Sequence, residues 1–341
     1  MDGMMESHKV DRNQIKIKIK DSTSEWLAVA TILTDRKMIG YIRFSKNKGF
    51  VEISNFKAQL PRKALDMGVT TKANSDILAG THGEGFKVAS LVMVRKSHQV
   101  RYESGKFYWN FFFGGKDRKH LYCSLSPMRE SVVQKAITAD NQRLDKDLPR
   151  QAQSHIWEDV TVKIGNVYWS NTNKGKKIEF DQFMNWIKIA LPLQQPTSII
   201  KTKAGDLILD EKFAGNIYLK GIYVGSSACR GHVKYAYNFY NGEINRDRKK
   251  LANPTKEAKA IAEIWGEAIR LDPLRTGTKY AELLKEISCK ELADINSIDD
   301  FIDSATMGLV WKQIQELDKS KNCFYFNPSS GDAAKVELSN L

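Results

Sequence analysis

The sequence predicts an α+β protein of more than one domain, and three observations carry that expectation. Short runs rich in β-branched and aromatic residues recur along the first two thirds of the chain, the composition of half-buried strands. Segments of helical period stand between and after them, with capping residues at their starts. At 341 residues the chain exceeds one average domain, and Pro192 and Pro196 mark a linker into a second strand-rich part.

Taken in order, residues 1–20 form a polar, basic lead-in in which Lys16, Lys18 and Lys20 share one side of an edge strand. Over residues 21–40 apolar side chains at helical spacing follow Ser22 or Ser24 as N-cap, so a helix is expected there. Val51 to Phe56 reads as a strand. Leu60 to Gly68 reads as a short helix, with Pro61 near its first turn and Gly68 closing it. A polar loop then leads to Gly80-Thr81-His82-Gly83-Glu84-Gly85-Phe86-Lys87, and the apolar run Val88 to Val94 predicts a helix opened by that loop. Gln99 to Glu103 and Lys106 to Phe113 read as strands, joined by a turn at Ser104-Gly105. Pro127 to Ser154 is an irregular or helical insertion, Val160 to Ile164 a strand, and Phe180 to Ile187 an amphipathic helix with Phe183 and Trp186 in the core. Short glycine-broken strands run from Gly205 to Phe239. Helices are expected over Thr255 to Arg270, Lys279 to Ile287 and Ile298 to Leu317, with Trp265 and Trp311 sealing their contacts.

The glycine loop carries most of the functional information. Glycine inside an element costs about 0.5–1 kcal/mol relative to alanine, so three in six residues serve something other than packing. A glycine loop opening a helix presents unpaired N–H groups at a positive dipole end, which is an anion site, and phosphate is the expected anion. Lys87 adds a full charge one turn in. A P-loop is excluded: Gly80 and Gly85 have its spacing, but Phe86 precedes the Lys and Val88 offers no hydroxyl. The dinucleotide fingerprint is absent, and His82 and Glu84 lack a second His at zinc spacing, so no metal ligand set is read.

Gly68-Val69-Thr70-Thr71-Lys72, followed by Gly80 to Lys87 behind a strand and short helix, resembles the ATP-binding domain of the GHKL superfamily (gyrase, heat-shock chaperone, histidine kinase and mismatch-repair ATPases). Within it the chain is similar to a fungal group that also carries a segment like Tyr218 to Val224, Tyr235 to Phe239 and Ile244-Asn245-Arg246-Asp247-Arg248. The resemblance implies a Bergerat-type two-layer sandwich of mixed sheet and helices over residues 1–170. It also implies a ribosomal-protein-like transducer over 171–252, which leaves a helical region over 253–323 and a tail over 324–341. It implies ATP as cofactor, with Asn55 at the base and Thr71, Lys72, Gly80, Gly83, Gly85, Phe86 and Lys87 around the phosphates. Lys220, Arg246 or Arg248 would reach the γ-phosphate, and Glu25 would polarise the attacking water. The chain departs from the superfamily in two places. Val29 stands four residues after Glu25 where an Asn should hold magnesium, and Ser54-Asn55-Phe56-Lys57-Ala58 replaces Asp-x-Gly-x-Gly. The implied function is therefore an ATP-dependent conformational switch with hydrolysis weak or lost. The alternative is a non-enzymatic module of the same fold that binds nucleic acid or a protein partner through its basic surface.

Charge bears on that alternative. A net +13 favours polyanions, with basic clusters at Lys116 to His120, Lys174 to Lys177 and Arg246 to Lys250. Solubilising surface loops are the plainer account, and no RNP motif, zinc finger or basic zipper is present. No apolar run approaches a membrane span, and the start lacks a hydrophobic signal core. Cys123, Cys229, Cys289 and Cys323 are far apart, the usage of reduced thiols in a cytoplasmic or nuclear protein.

Overall fold

A computed structural model describes residues 2–66, 69, 83–167, 175–229, 231–243, 251, 253–285, 292–295 and 301–317. The chain divides into two units, Met1–Gln195 and Pro196–Leu341.

The first unit runs α1 (Asp2–His8), β1 (Ile15–Asp21), β2 (Glu25–Ile32), β3 (Met38–Ser45), β4 (Phe50–Asn55), α2 (Gly85–Arg95), β5 (Gln99–Ser104), β6 (Phe107–Gly114), β7 (His120–Pro127), α3 (Glu130–Leu144), β8 (Val160–Gly165), α4 (Phe180–Ile187) and α5 (Leu191–Gln194). Its strands form one sheet in the order β1-β2-β3-β4-β8-β5-β6-β7, with β8 inserted between β4 and β5. Every pairing in this sheet is antiparallel.

The helix expected over residues 21–40 is instead the β2–β3 pair. Trp26, Ala28, Ala30 and Ile32 are buried while the residues between them are half-exposed, a period of two. The run is so uniformly apolar that both periods fit it, and the β-branched residues Val29, Thr31 and Ile32 tip it to strand. The capping residue is real but serves a turn: Ser22 Oγ accepts from the Glu25 amide at 3.1 Å and closes the β1–β2 hairpin. The short helix expected at Leu60 to Gly68 is a single 3₁₀ turn, Arg62–Leu65, and Met67 and Gly68 lie outside the described residues. The β5–β6 turn falls on Gly105 and Lys106, with φ of +57° and +65°, a two-residue turn whose twist suits a hairpin.

One face of the sheet carries the helices. Trp26, Ala28, Phe44 and Val51 pack under α4 through Phe183 and Ile187. Val100, Tyr102, Trp109 and Phe111 pack under α2 through Phe86, Met93 and Val94. Met4 of α1 joins Ala30, Ile32 and Ile39 at the end of β2 and β3. The opposite face is polar, and the segment 150–158 crosses it: Arg43 Nη2 donates to the Ala152 carbonyl at 2.6 Å, and Thr161 Oγ1 donates to Ser154 Oγ at 2.6 Å.

The second unit holds β9 (Ile199–Lys201), β10 (Gly205–Ile208), β11 (Ile217–Leu219), β12 (Ile222–Gly225), β13 (Ala236–Phe239), α6 (Pro254–Leu271), α7 (Thr278–Lys285) and α8 (Ser304–Leu317). Its sheet has the order β12-β11-β13-β10-β9, and β11·β13 is its parallel pair. Among the described residues, parallel pairing is thus found in this sheet and not in the larger one. The strands and helices share one core around Trp265, Leu207, Tyr237, Ile261 and Val310. The expected boundaries at 170/171 and 252/253 are not those of this division, and here the short strands share one core with α6. Asn253, and not Thr255, caps α6, accepting from the Lys256 amide at 3.0 Å. Among the described residues no helix is long and apolar enough to cross a membrane.

Candidate functional site

The glycine motif does open a helix. Gly83 has φ +64°, the left-handed region where a side chain is strained, and Gly85 begins α2. Glu84 occupies the N-cap position in a helical conformation, and its side chain makes no capping bond. A Cβ at Gly85 would meet nothing within 4 Å. Among the described residues, the first turn of α2 thus has no side-chain cap at its positive helix end. Phe86 anchors that turn, with ring centroids 5.8 Å from Tyr102 and 6.4 Å from Phe111. The Lys87 ammonium donates to the Asp66 carbonyl and lies 5.7 Å over the Phe86 ring. A carbonyl satisfies the donor without cancelling the charge.

Beside α2 the sheet is incompletely covered. Register carries the helix face from Tyr102 to Val162, from Val162 to Ile53 and from Ile53 to Ile42. Ile53 is thus mid-sheet, between the part under α2 and the part under α4, yet it is 36 % exposed. Apolar side chains at the middle of a helix-covered sheet are normally buried. Two residues along, Asn55 ends β4 with its Oδ1 buried and, among the described residues, without a hydrogen-bond partner. Such an acceptor costs about 1–3 kcal/mol unless a donor reaches it. Helix α1 closes this corner: a Cβ on Gly3 would stand 2.6 Å from Asn55 Nδ2, and Met4 lies where a Cβ on Gly40 would fall. His8 reaches the Phe56 carbonyl at 3.1 Å, and burial lowers its pKa. The sequence reading did not anticipate α1, because its seven residues lack a long apolar period.

Of the sequence-predicted site residues, Asn55, Gly83, Gly85, Phe86 and Lys87 belong to the helix-covered face. Glu25 does not. Strand alternation sets it opposite Trp26, on the polar face, where it pairs with Arg43 at 3.0 Å. The helix expected to carry it is a strand, which sets its side chain on the face away from α2. Lys220 lies in the second unit, in the β11–β12 hairpin turn with φ +53°, its amide donating to the Phe239 carbonyl at 2.8 Å. Thr71, Lys72, Gly80, Arg246 and Arg248 lie outside the described residues. Trp26 and Phe56 do not fill the gap over Ile53: Trp26 packs on Phe183 at 5.2 Å, and Phe56 packs against Tyr41 at 5.9 Å under the Arg150 guanidinium.

The polar face holds an arrangement that sequence reasoning missed. Glu25, Arg43, Glu52, Lys163 and Glu103 alternate in sign across β2, β3, β4, β8 and β5, with Arg43 3.8 Å from Glu52 and Lys163 2.9 Å from Glu103. A cavity of about 480 Å³ lies between this row and segment 151–156. It is on the far side of the sheet from the glycine loop, and its charges already neutralise one another. The only signal for it was the polar slot in each alternating strand. At its margin the buried Asp159 accepts from the Lys57 amide at 2.9 Å and pairs with Arg150, which fixes the left-handed turn at Lys57 behind β4.

Compared with known proteins, the chain matches no family model and no curated sequence.

Proposed function

We propose that the first unit binds an adenine nucleotide on the helix-covered face, in the manner of the GHKL superfamily and its Bergerat-type sandwich. The observation that carries this reading is the uncapped glycine entry of α2 beside the uncovered sheet at Ile53. The phosphates sit at the amides of Gly83 to Phe86 with Lys87 as counter-charge, the base lies against Ile53, and Asn55 Oδ1 accepts from the exocyclic amine. Lys87 has only to exchange a carbonyl for a phosphate oxygen.

The role is a conformational switch rather than turnover. Glu25 and Val29 are an even number of residues apart on β2 and share the polar face, so neither the water-polarising carboxylate nor a magnesium ligand is supplied from there. The residues at those positions do not fit the metal. By the same resemblance the second unit, which contains Lys220, Arg246 and Arg248, corresponds to the transducer. The non-enzymatic alternative is favoured by one separate observation, the aromatic β6–β7 hairpin with its basic tip.

Calorimetry and thermal melts with ATP and GTP test this reading. ATP should bind and raise the melting temperature, GTP should do so more weakly because its O6 is an acceptor facing an acceptor, and Lys87→Ala should reduce ATP affinity roughly tenfold or more, the range of a charge-assisted bond. Absence of heat and of a melting shift at millimolar ATP would end it.

A further inference from the structure

The β6–β7 hairpin at the edge of the large sheet presents a second surface, on the polar face and away from the glycine loop. Along β6, Trp109 and Phe111 are buried under α2, so Tyr108, Asn110 and Phe112 face the other way. Their cross-strand partners on β7 are Ser126, Ser124 and Tyr122. Phe112 and Tyr122 are 45 % and 47 % exposed, and their rings stack at 6.0 Å with planes 20° apart. A fold normally hides such a pair, because each ring is a large apolar surface. Tyr122 has a partial structural reason: a Cβ on Gly114 would meet its ring at 2.8 Å, so the ring lies across the glycine backbone. Phe112 borders the same glycine, its Cε2 3.4 Å from that Cβ position, and its outer ring face stays exposed.

Polar and cationic groups surround the pair. Asn110 and Ser124 continue the strip, Asn110 holds the Arg101 guanidinium at 3.0 Å, and that guanidinium lies 4.6 Å over the Tyr108 ring. At the tip of the hairpin Lys116, Arg118 and Lys119 are exposed, against the single carboxylate of Asp117. Exposed ring faces, amide and hydroxyl groups and a cationic rim on one strip are what an unpaired base and its phosphate require. Aromatic side chains stack on any base, and the cations follow the backbone. A duplex offers no free base face to the rings.

We infer that the polar face of the β6–β7 hairpin binds single-stranded nucleic acid, with Phe112 and Tyr122 as the stacking platform and Lys116, Arg118 and Lys119 on the phosphates. The surface is independent of the nucleotide site proposed above.

The test is fluorescence anisotropy of the full chain with a labelled oligothymidylate of about 20 nucleotides, without ATP. Binding should weaken as salt rises. Phe112→Ala should lower affinity roughly tenfold, the scale of one lost base stack, and Phe112→Trp should retain it. Replacing Lys116, Arg118 and Lys119 by Ala should make the slope of log affinity against log salt shallower by about 0.7 for each phosphate contact removed. Replacing Lys16, Lys18 and Lys20, which removes the same charge from the opposite edge strand, should leave binding unchanged. Lys87→Ala should also leave it unchanged, so this assay and the ATP titration fail separately. The inference is overturned if the oligonucleotide does not bind, if the two triple variants weaken binding equally, or if duplex binds as tightly and Phe112→Ala has no effect. Melting curves identical to the parent chain show that the variants are folded, as expected for exposed positions.

Discussion

The two glycines at the entry of α2 are predicted to respond in opposite ways to the same substitution. Gly85 has ordinary helical φ and open space where a Cβ would project, so Gly85→Ala meets no atom and removes the entropic penalty of glycine. At the first helical position the gain is about 0.5 kcal/mol. In a unit of this size that raises the melting temperature by about 1–2 °C. Gly83 has φ +64°, and alanine there costs about 1–2 kcal/mol, a fall of roughly 2–8 °C. Binding follows another rule. A methyl group at Gly85 enters the space where an anion approaches the amides, so Gly85→Ala should lose at least about tenfold in ATP affinity, near 1.4 kcal/mol. A substitution that stabilises the fold and weakens the ligand separates a glycine kept for approach from one kept for a turn. The assays are a melt without nucleotide and an ATP titration by calorimetry. If Gly85→Ala is more stable and binds ATP as tightly as the parent chain, the ligand does not reach the start of α2 and the proposed site is wrong.

Further predictions concern the frame around that site. Phe183→Ala should cost about 3–5 kcal/mol in urea unfolding followed by tryptophan fluorescence, because its ring is 2 % exposed and stacks on Phe44 at 4.6 Å; a loss below 1 kcal/mol would mean that α4 does not seal this face. Glu25→Ala should change stability by no more than about 1 kcal/mol, as expected for a half-exposed ion pair, and should leave ATP affinity unaltered. A tenfold affinity loss would return Glu25 to the ligand. Burial pushes the thiols of Cys123 and Cys229 up to about 11. At pH 8.5 roughly one in three hundred is then a thiolate, against about half of a free cysteine, so alkylation and peptide mapping of the native chain should leave both largely unmodified until the pH approaches 11.

What was legible in the sequence was whatever a local period or a turn residue could fix. The aromatic run at Phe107 to Phe113 could only be a strand, Phe180 to Ile187 had one apolar face, and Gly83 to Lys87 marked a helix entry whatever surrounds it. The β2–β3 pair was not legible because Trp26 to Leu33 is apolar at every position but Thr31, so its pattern fits a helical period as well as an alternating one. That single ambiguity carried Glu25 from a presumed catalytic helix to the far side of a sheet. The insertion of β8 between β4 and β5 was hidden too. It brings Val160 and Val162 to Asn55 and Ile53 across more than 100 residues of chain, a pairing no local pattern encodes. The union of the short strands with α6 in one core was equally non-local, since Tyr237 and Trp265 meet through a 2.8 Å hydrogen bond between distant segments.

The two ends of the eight-stranded sheet are not equivalent. Along β1, Lys16, Lys18 and Lys20 alternate with isoleucines, and the Ile17 carbonyl is already taken by Gln195 Nε2 at 2.9 Å. A second molecule adding a strand there would oppose six lysines and displace an amide. Along β7, Leu121 to Ser126 carries no charge, and Pro127 withholds one donor at its far end. Strand addition is thus opposed by charge at the β1 edge of this sheet, whereas the β7 edge carries no comparable charge.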